Sequence, residues 1–457
     1  PGAWPALSPA RGEGKTRQVD RPVRTCPDPG MTPAARLQAS IELSEAIAAD
    51  SRPADAVVSE WLRDRRFIGS KDRRHLTQAV YDRLRHRARL DWWCERVHLG
   101  QSERSRALAE LVIVGGHLAG DVAQLCSGQR FGPEVLSPKE KTRLEKLERA
   151  PLDHREQPPE VAGECPAWLL PKFGPEAAAT LAALATEAPL DLRVNRLKTR
   201  REEALAALVA DGLHPQPAPL SPLGLRLTGR PNVAETAAFK GGLVERQDEG
   251  SQLAALLVGA RPGMRVIDFC AGAGGKTLAL AGEMANKGAL IASDVLEKRL
   301  ERAGERLRRA GAHNVTRRPL GSHRDPWVKR HKAGFDRVLV DAPCSGTGAW
   351  RRNPDARWRS QPDEFERIKA LQGEILESAA RLARPGGRVV YVTCSLLPEE
   401  NEAQVERFLA ARDDFRLVPI AQAWAESLGG APPAGAGETL TLRPEIHGTD
   451  GLFVAVL

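Results

Sequence analysis

The chain predicts an α/β protein: a doubly wound, Rossmann-like sheet preceded by an all-helical region and a small α+β module. Three observations carry this. From about Val244 onward, strand-length apolar runs alternate with helical patterns. One strand-to-helix junction holds a glycine turn, Val266-Ile-Asp-Phe-Cys-Ala-Gly-Ala-Gly-Gly-Lys-Thr277. From Thr32 to about Arg149 the apolar spacing is helical.

Taken in order, residues 1–30 precede the first methionine, Met31, and are rich in Pro, Arg and Gly without the apolar core of a secretory signal. They read as a disordered extension or an over-long gene start. Residues 31–150 form the helical region. Leu37 and Ile41, Leu43 and Ile47, and Leu76, Val80 and Leu84 recur at spacings of four, and Val57, Val58, Trp61 and Leu62 make another apolar face. Arg73, Arg74, Arg83, Arg85 and Arg87 lie between them and predict a basic outer surface; Trp92 and Trp93 read as core. Residues 151–243 comprise a proline-rich linker and a small module with strands at 190–194 and 223–227 and a helix over 200–211. Residues 244–457 form the large domain. Strands are predicted at 266–269, 289–293, 313–316, 336–340, 388–393 and 452–456, with helices near 251–259, 276–285, 297–310, 362–383 and 400–411. The longest helix places Phe365, Ile368, Leu371, Ile375, Ala379 and Leu382 on one face, and 429–437 reads as a flexible loop.

Composition narrows the function. Lys plus Arg exceed Asp plus Glu by 67 − 59 = 8, and the excess is clustered. Residues 61–90 carry ten Lys or Arg against three acids, and 299–332 carry eleven against three, which points to nucleic acid. No apolar run is long enough to span a bilayer, so no membrane is expected. Seven cysteines without a C-x-x-C pair argue against a disulfide framework or a metal site and for reduced thiols in a cytoplasmic setting.

The glycine turn fails two better-known patterns. A P-loop would need glycine where Cys270 stands, and a dinucleotide fingerprint would need glycine at Thr277. What remains is a glycine turn followed by an acid, Asp294, at the next strand end, which suits a ribose diol and serves S-adenosylmethionine. Two further stretches end strands with a cysteine: Val338-Leu-Val-Asp-Ala-Pro-Cys-Ser-Gly-Thr-Gly348 and Val389-Val-Tyr-Val-Thr-Cys-Ser395. If these strands are neighbours, Asp341, Cys344 and Cys394 converge on the glycine turn. A thiolate there suits methylation of a pyrimidine at C5, because attack at C6 turns C5 into a nucleophile. The residues alone do not rank the two cysteines.

These motifs, with Arg351-Arg-Asn-Pro-Asp355 and Pro398-Glu-Glu-Asn401, resemble the Sun-type RNA cytosine-C5 methyltransferases in content and order. The helical region is similar to the NusB-like RNA-binding domain of the bacterial 16S ribosomal RNA branch. The resemblance implies Cys394 as covalent nucleophile, Cys344 as an aid to product release, and Asp341 at the target cytosine and the methyl donor. It implies that Cys270, Ala271, Gly272, Ala273, Gly274, Gly275, Lys276, Asp294, Ser322 and Asp341 hold S-adenosylmethionine, that Arg351 and Arg352 meet phosphate, and that the partner is RNA, 16S ribosomal RNA foremost. A cytoplasmic monomer without metal is expected. The chain departs from the family pattern at Ala273, where proline is usual, and at Ser322, where an aspartate near the adenine is usual. Three readings compete with this one: a transfer RNA methyltransferase, an RNA-binding assembly factor without turnover, and a methyltransferase acting on nitrogen.

Overall fold

The structure is a computed structural model that describes residues 30–457; the extension expected over 1–30 lies outside them except for Gly30. Helices from Pro33–Ala49 to Pro138–Glu145 build the front of the chain. The periodic apolar residues are buried as their spacing requires. Leu43, Ile47, Val57, Val58, Trp61, Leu76 and Val80 form one cluster, and Leu90, Trp93, Leu108, Val112 and Leu144 another. Trp93 is core, its indole N–H donating to the Pro151 carbonyl at 3.1 Å, while Trp92 is half-buried against His154. Arg83 and Arg85 depart from expectation by facing inward. Arg83 pairs with Glu110 at 3.0 Å and donates to the Ser44 hydroxyl at 2.8 Å. Arg85 pairs with Asp82 and donates to the Arg351 carbonyl at 3.2 Å, far along the chain. Helical spacing finds a face but not where a long cationic side chain ends.

Residues 150–165 are mostly exposed or half-buried, as a linker should be, but Gln157, Glu164 and Cys165 are buried. Glu164 is fully buried, and its carboxylate accepts from the Ala88 and Arg89 N–H groups at 2.8 and 3.1 Å and from Arg89 Nε at 2.9 Å. The small module is a four-stranded antiparallel sheet made of β1 (Leu190–Val194), β2 (Gln216–Pro217), β3 (Gly224–Leu227) and β4 (Val244–Arg246), in the order β2-β3-β1-β4. The helix Arg201–Ala210 covers it through Ala204 and Leu208. β2 and β4, two and three residues long, are too short for any alternation to register in the sequence.

The large domain has seven strands: β5 (Arg265–Asp268), β6 (Ala289–Asp294), β7 (Val315–Pro319), β8 (Phe335–Asp341), β9 (Ala383–Thr393), β10 (Leu440–Leu442) and β11 (Leu452–Val456). Their order is β10-β11-β9-β8-β5-β6-β7. β7 through β9 run parallel, and β11 is inserted antiparallel beside β9. This is the doubly wound fold that the alternation predicts. β7 begins later than expected because Arg317, Arg318 and Pro319, tolerable on an edge strand, erase its apolar signal. On the helix Pro362–Ala380, Leu371 is exposed and Gln372 is buried in the stripe instead, since its amide is needed inside.

The chain order β5, β8, β9 across the middle of the sheet brings three strand ends to one edge. The ends of β8 and β9 are locked to the turn before β11 by a close approach of backbone. The Gly348 N–H donates to the Cys394 carbonyl at 2.9 Å, and the Gly451 N–H donates to the Gly348 carbonyl at 2.9 Å. A Cβ on Gly348 would lie 2.1 Å from the Gly451 oxygen. Gly348→Ala is therefore expected to destabilise the fold by about 2–3 kcal/mol in denaturant unfolding, the usual cost of overpacking a closed site; an unchanged midpoint would show that the two loops can part.

Candidate active site

β5 ends at Asp268, and the chain turns through Gly272 and Gly274, both left-handed at φ 54° and 78°, into the helix Gly275–Glu283. A Cβ on Gly274 would stand 2.9 Å from the Ala303 Cβ, so glycine is required for packing as well as for φ. A Cβ on Gly272 would meet open space, so that this face of the turn is a cradle. Asp294, at the end of β6, closes the cradle. One of its oxygens accepts from the Gly272 N–H at 2.8 Å and the other from the Leu296 N–H at 2.8 Å, which leaves lone pairs on both for a diol. Glycine N–H groups, a helix N-terminus and a fixed carboxylate are a donor and acceptor set that fits an aminoacyl nucleoside such as S-adenosylmethionine.

The structure brings Lys276, Asp341, Cys344 and Cys394 to the same edge. The Lys276 ammonium is 2.7 Å from the Asp341 carboxylate. Burial pulls the ammonium down, but Asp341 and the nearby Cys394 more than offset this and hold it above its ordinary value. Sγ of Cys344 lies 3.3 Å from Sγ of Cys394. That contact, together with burial, pushes the Cys344 thiol well above its usual range. Cys270 is likewise pushed well up by burial and by the surrounding carboxylates, Asp268 first, and stays a thiol. Ala271 is buried behind the turn, and the Ala273 carbonyl accepts from Arg306 at 2.7 Å.

Three expected positions behave differently from the rest. Ser322 is exposed, and its hydroxyl accepts from the Arg324 N–H at 3.1 Å. The nearest acid in that loop, Asp325, turns back to accept from the Gly321 N–H at 2.9 Å. Arg351 and Arg352 are engaged by carboxylates of the protein itself. Arg352 pairs with Asp450 and, at 3.1 Å, with Asp248, and donates to the Pro189 carbonyl at 3.1 Å. Arg351 is buried beside Asp450. Two carboxylates that close together need the guanidinium between them, and burial beside Asp248 lifts Asp450 to about 7 even so.

Several residues that the sequence left without a role hold the site. Glu400, fully buried, accepts from the Ser345 N–H at 2.8 Å, from the Ser345 hydroxyl, and from Gln372 at 3.0 Å. Gln372 also donates to the Pro343 carbonyl at 2.9 Å. Asn401 accepts from the Thr393 hydroxyl and donates to the Ser395 carbonyl at 3.0 Å. The Pro398-Glu-Glu-Asn401 stretch could have revealed these, since two adjacent polar residues just before a helix are a capping pattern, but it names no partner. From the small module, Arg193 donates to the Gly275 carbonyl at 2.8 Å, so that module braces the glycine turn.

Residues 255–457 match the family model described as 16S rRNA methyltransferase RsmB/F, and residues 165–234 match that of the RsmF/B-like ferredoxin-like domain. Ribosomal RNA small subunit methyltransferase B of Pseudomonas syringae pv. tomato is 36% identical over 308 residues, covering 66% of this chain and 67% of that protein. The chain belongs to the RsmB/F family. The enzyme of the same name from Photorhabdus laumondii subsp. laumondii is 35% identical over 269 residues, and that match spans 59% of each chain. Among solved structures, PH0851 superposes with a TM-score of 0.73 at 27% identity, covering 93% of this chain and 99% of that one. Membership of the RsmB/F family agrees with the Sun-type resemblance of the motifs and with the Rossmann-like sheet. Among the described residues no helix is long and apolar enough to cross a membrane.

Asp268 gives the site a titration of its own. Its carboxyl is fully buried, accepts from the Thr277 hydroxyl at 2.7 Å, and has a second oxygen without a partner among the described residues. Burial raises it from 3.8 to about 7. A carboxyl raised on folding contributes stability that is fully present below pH 3.8 and is lost as pH climbs toward 7. The unfolding free energy of wild type relative to Asp268→Asn should therefore fall between these limits and stay flat above them. A difference that is constant with pH would place the carboxylate in a charged, solvated setting.

Proposed function

We propose that the protein transfers a methyl group from S-adenosylmethionine to C5 of a cytosine in RNA through a covalent adduct at Cys394. The names of its relatives support 16S ribosomal RNA as the substrate. The observation that carries the chemistry is the pair of sulfurs 3.3 Å apart beside the Lys276–Asp341 ion pair and the glycine cradle. S-adenosylmethionine supplies an electrophilic methyl group; the chain's own residues do the rest. A bond from Sγ of Cys394 to C6 shifts electron density to C5, which forms the new carbon–carbon bond as the donor's carbon–sulfur bond breaks. Loss of the C5 proton to a base restores the double bond and expels the Cys394 thiolate. Lys276, held by Asp341, sets a cation near Cys394. Asp341 faces the base and stabilises the adduct from the N3 side. The contact with Cys394, then burial, keeps Cys344 protonated, and the family resemblance supports a part for it in release of the product.

The two thiols can be told apart. Cys394→Ala should abolish methyl transfer and form no covalent RNA complex. Cys344→Ala should still attack and then stall, and should migrate with RNA as an adduct on a denaturing gel, with turnover down by a factor of about 100 or more, the scale of a lost acid–base group. An adduct from Cys394→Ala and none from Cys344→Ala would exchange the roles, and full activity in both would remove covalent catalysis.

A further inference from the structure

Two tryptophans from distant parts of the chain line an open cavity of about 340 Å³ where the front helices meet the segment after β8. One face of the helix Arg87–Arg96 forms its floor: Arg87, Asp91 and Glu95 recur at spacings of four, with Trp92 beside them. Val161 and Trp358 complete the lining. The size falls within the usual range of about 300–1,000 Å³ for ligand sites. Both indoles are fixed but not covered. The Trp358 N–H donates to the Leu84 carbonyl at 3.3 Å, while Trp92 stands edge-on to Trp93 at 4.9 Å and tilts against His154 at 5.3 Å. Each remains half-buried, and Glu95 is exposed, so solvent reaches the cavity.

The charges around this cavity are unequally engaged. Asp91 gives both oxygens to Arg106, at 2.6 and 3.3 Å. Arg87 lies only at the outer limit of contact with Asp91, at 3.9 Å, and 5.8 Å from the Trp358 ring centroid. The Glu95 carboxylate has no partner among the described residues. An adjoining cavity of about 230 Å³ shares Arg87 and Trp358 and is lined by five arginines against three acids, with Arg52 and Arg359 exposed. A rigid aromatic surface, a free acceptor and a positive path alongside match the parts of a single-stranded nucleotide. Unpaired RNA bases are held by stacking on aromatic rings and by hydrogen bonds to their pairing edges, and phosphates by arginine. A carboxylate only accepts. Guanine alone of the four bases presents two adjacent donors on its pairing edge, N1–H and the 2-amino group, to the two oxygens of one carboxylate.

We propose that this junction binds one unpaired guanine of RNA, its ring stacked on Trp358, its pairing edge read by Glu95 and its phosphate met by Arg87. The site rests on the reading of RNA as the substrate and gives the front helices a base-reading part in holding it.

The full-length protein is titrated, without S-adenosylmethionine, with short labelled single-stranded RNAs that differ only in one central base. The guanine form should bind about ten-fold tighter than the others. Glu95→Gln, at an exposed position, should weaken the guanine form alone and erase most of that preference. Arg87→Met should weaken every form about three-fold and reduce the salt slope by about one contact. Trp358→Ala should weaken every form about five-fold or more, and Trp358→Phe, which keeps a ring, should bind close to wild type. Equal loss in both Trp358 variants at unchanged melting midpoints removes stacking and overturns the site. So does an absence of preference in wild type, or an undiminished preference in Glu95→Gln. A ribosomal RNA fragment is titrated alongside. Protein that binds the fragment but does not select guanine refutes this site and spares the RNA reading; protein that binds neither refutes both. No readout here depends on Cys394, so failure of the covalent mechanism is a separate result.

Discussion

One buried carboxylate sets the geometry on which the site depends. Glu400 has no contact with water, and it collects the Ser345 amide, the Ser345 hydroxyl and the Gln372 amide. Charge-assisted bonds of this kind are about twice as strong as neutral ones. Through them the loop after β8, which carries Cys344, is fixed to the turn after β9, which carries Cys394, while Gln372 adds the long helix as a third wall. The Thr347 hydroxyl completes the seam by accepting from the Leu396 N–H at 2.9 Å. The 3.3 Å separation of the sulfurs is thus a product of a polar network and not of two flexible loops meeting by chance.

The cofactor turn is supported from outside its own domain. Arg193 reaches from β1 to the Gly275 carbonyl, Arg306 holds the Ala273 carbonyl, and Glu245 on β4 pairs with Arg306 and Arg309 at 3.4 and 2.6 Å. Burial of Arg193 is deep enough to pull its guanidinium down to about 10. The small module is thus a brace for the cradle.

What the sequence made legible follows from the range of each interaction. Strand and helix positions depend on local periodicity: β5, β6, β8 and β11 stand where the apolar runs placed them, while β9 starts earlier than expected, at Ala383. The glycine turn, Asp294 and the two cysteines were legible because each ends a strand, and parallel sheets gather such ends. Arg351 and Arg352 were misread because a cation beside a ligand motif looks the same whether it meets phosphate or a buried carboxylate; Asp248 and Asp450, its partners, lie about 100 residues away in either direction. Asp268 and Glu400 lie inside quoted motifs, but neither motif names a partner, since a buried acid is defined by what surrounds it. Gln372 stood one residue from a leucine that fitted the helical stripe equally well.

The segment from Arg351 to Arg359 joins β8 to the long helix, yet much of its surface belongs to the front of the chain. Arg85 donates to the Arg351 carbonyl, the Ala54 N–H donates to Asp355, the Trp358 indole donates to the Leu84 carbonyl, and Arg357 donates to the Glu164 carbonyl. These pairs span up to 301 residues of sequence. At a synthesis rate of roughly 5–20 residues per second, the front helices emerge about 15–60 s before the groups that satisfy their inward-facing arginines and caps. The helical region therefore carries its docking face exposed through most of translation, and its final consolidation waits for β8. Contact order, more than local helix propensity, sets the pace at which this chain reaches its native state.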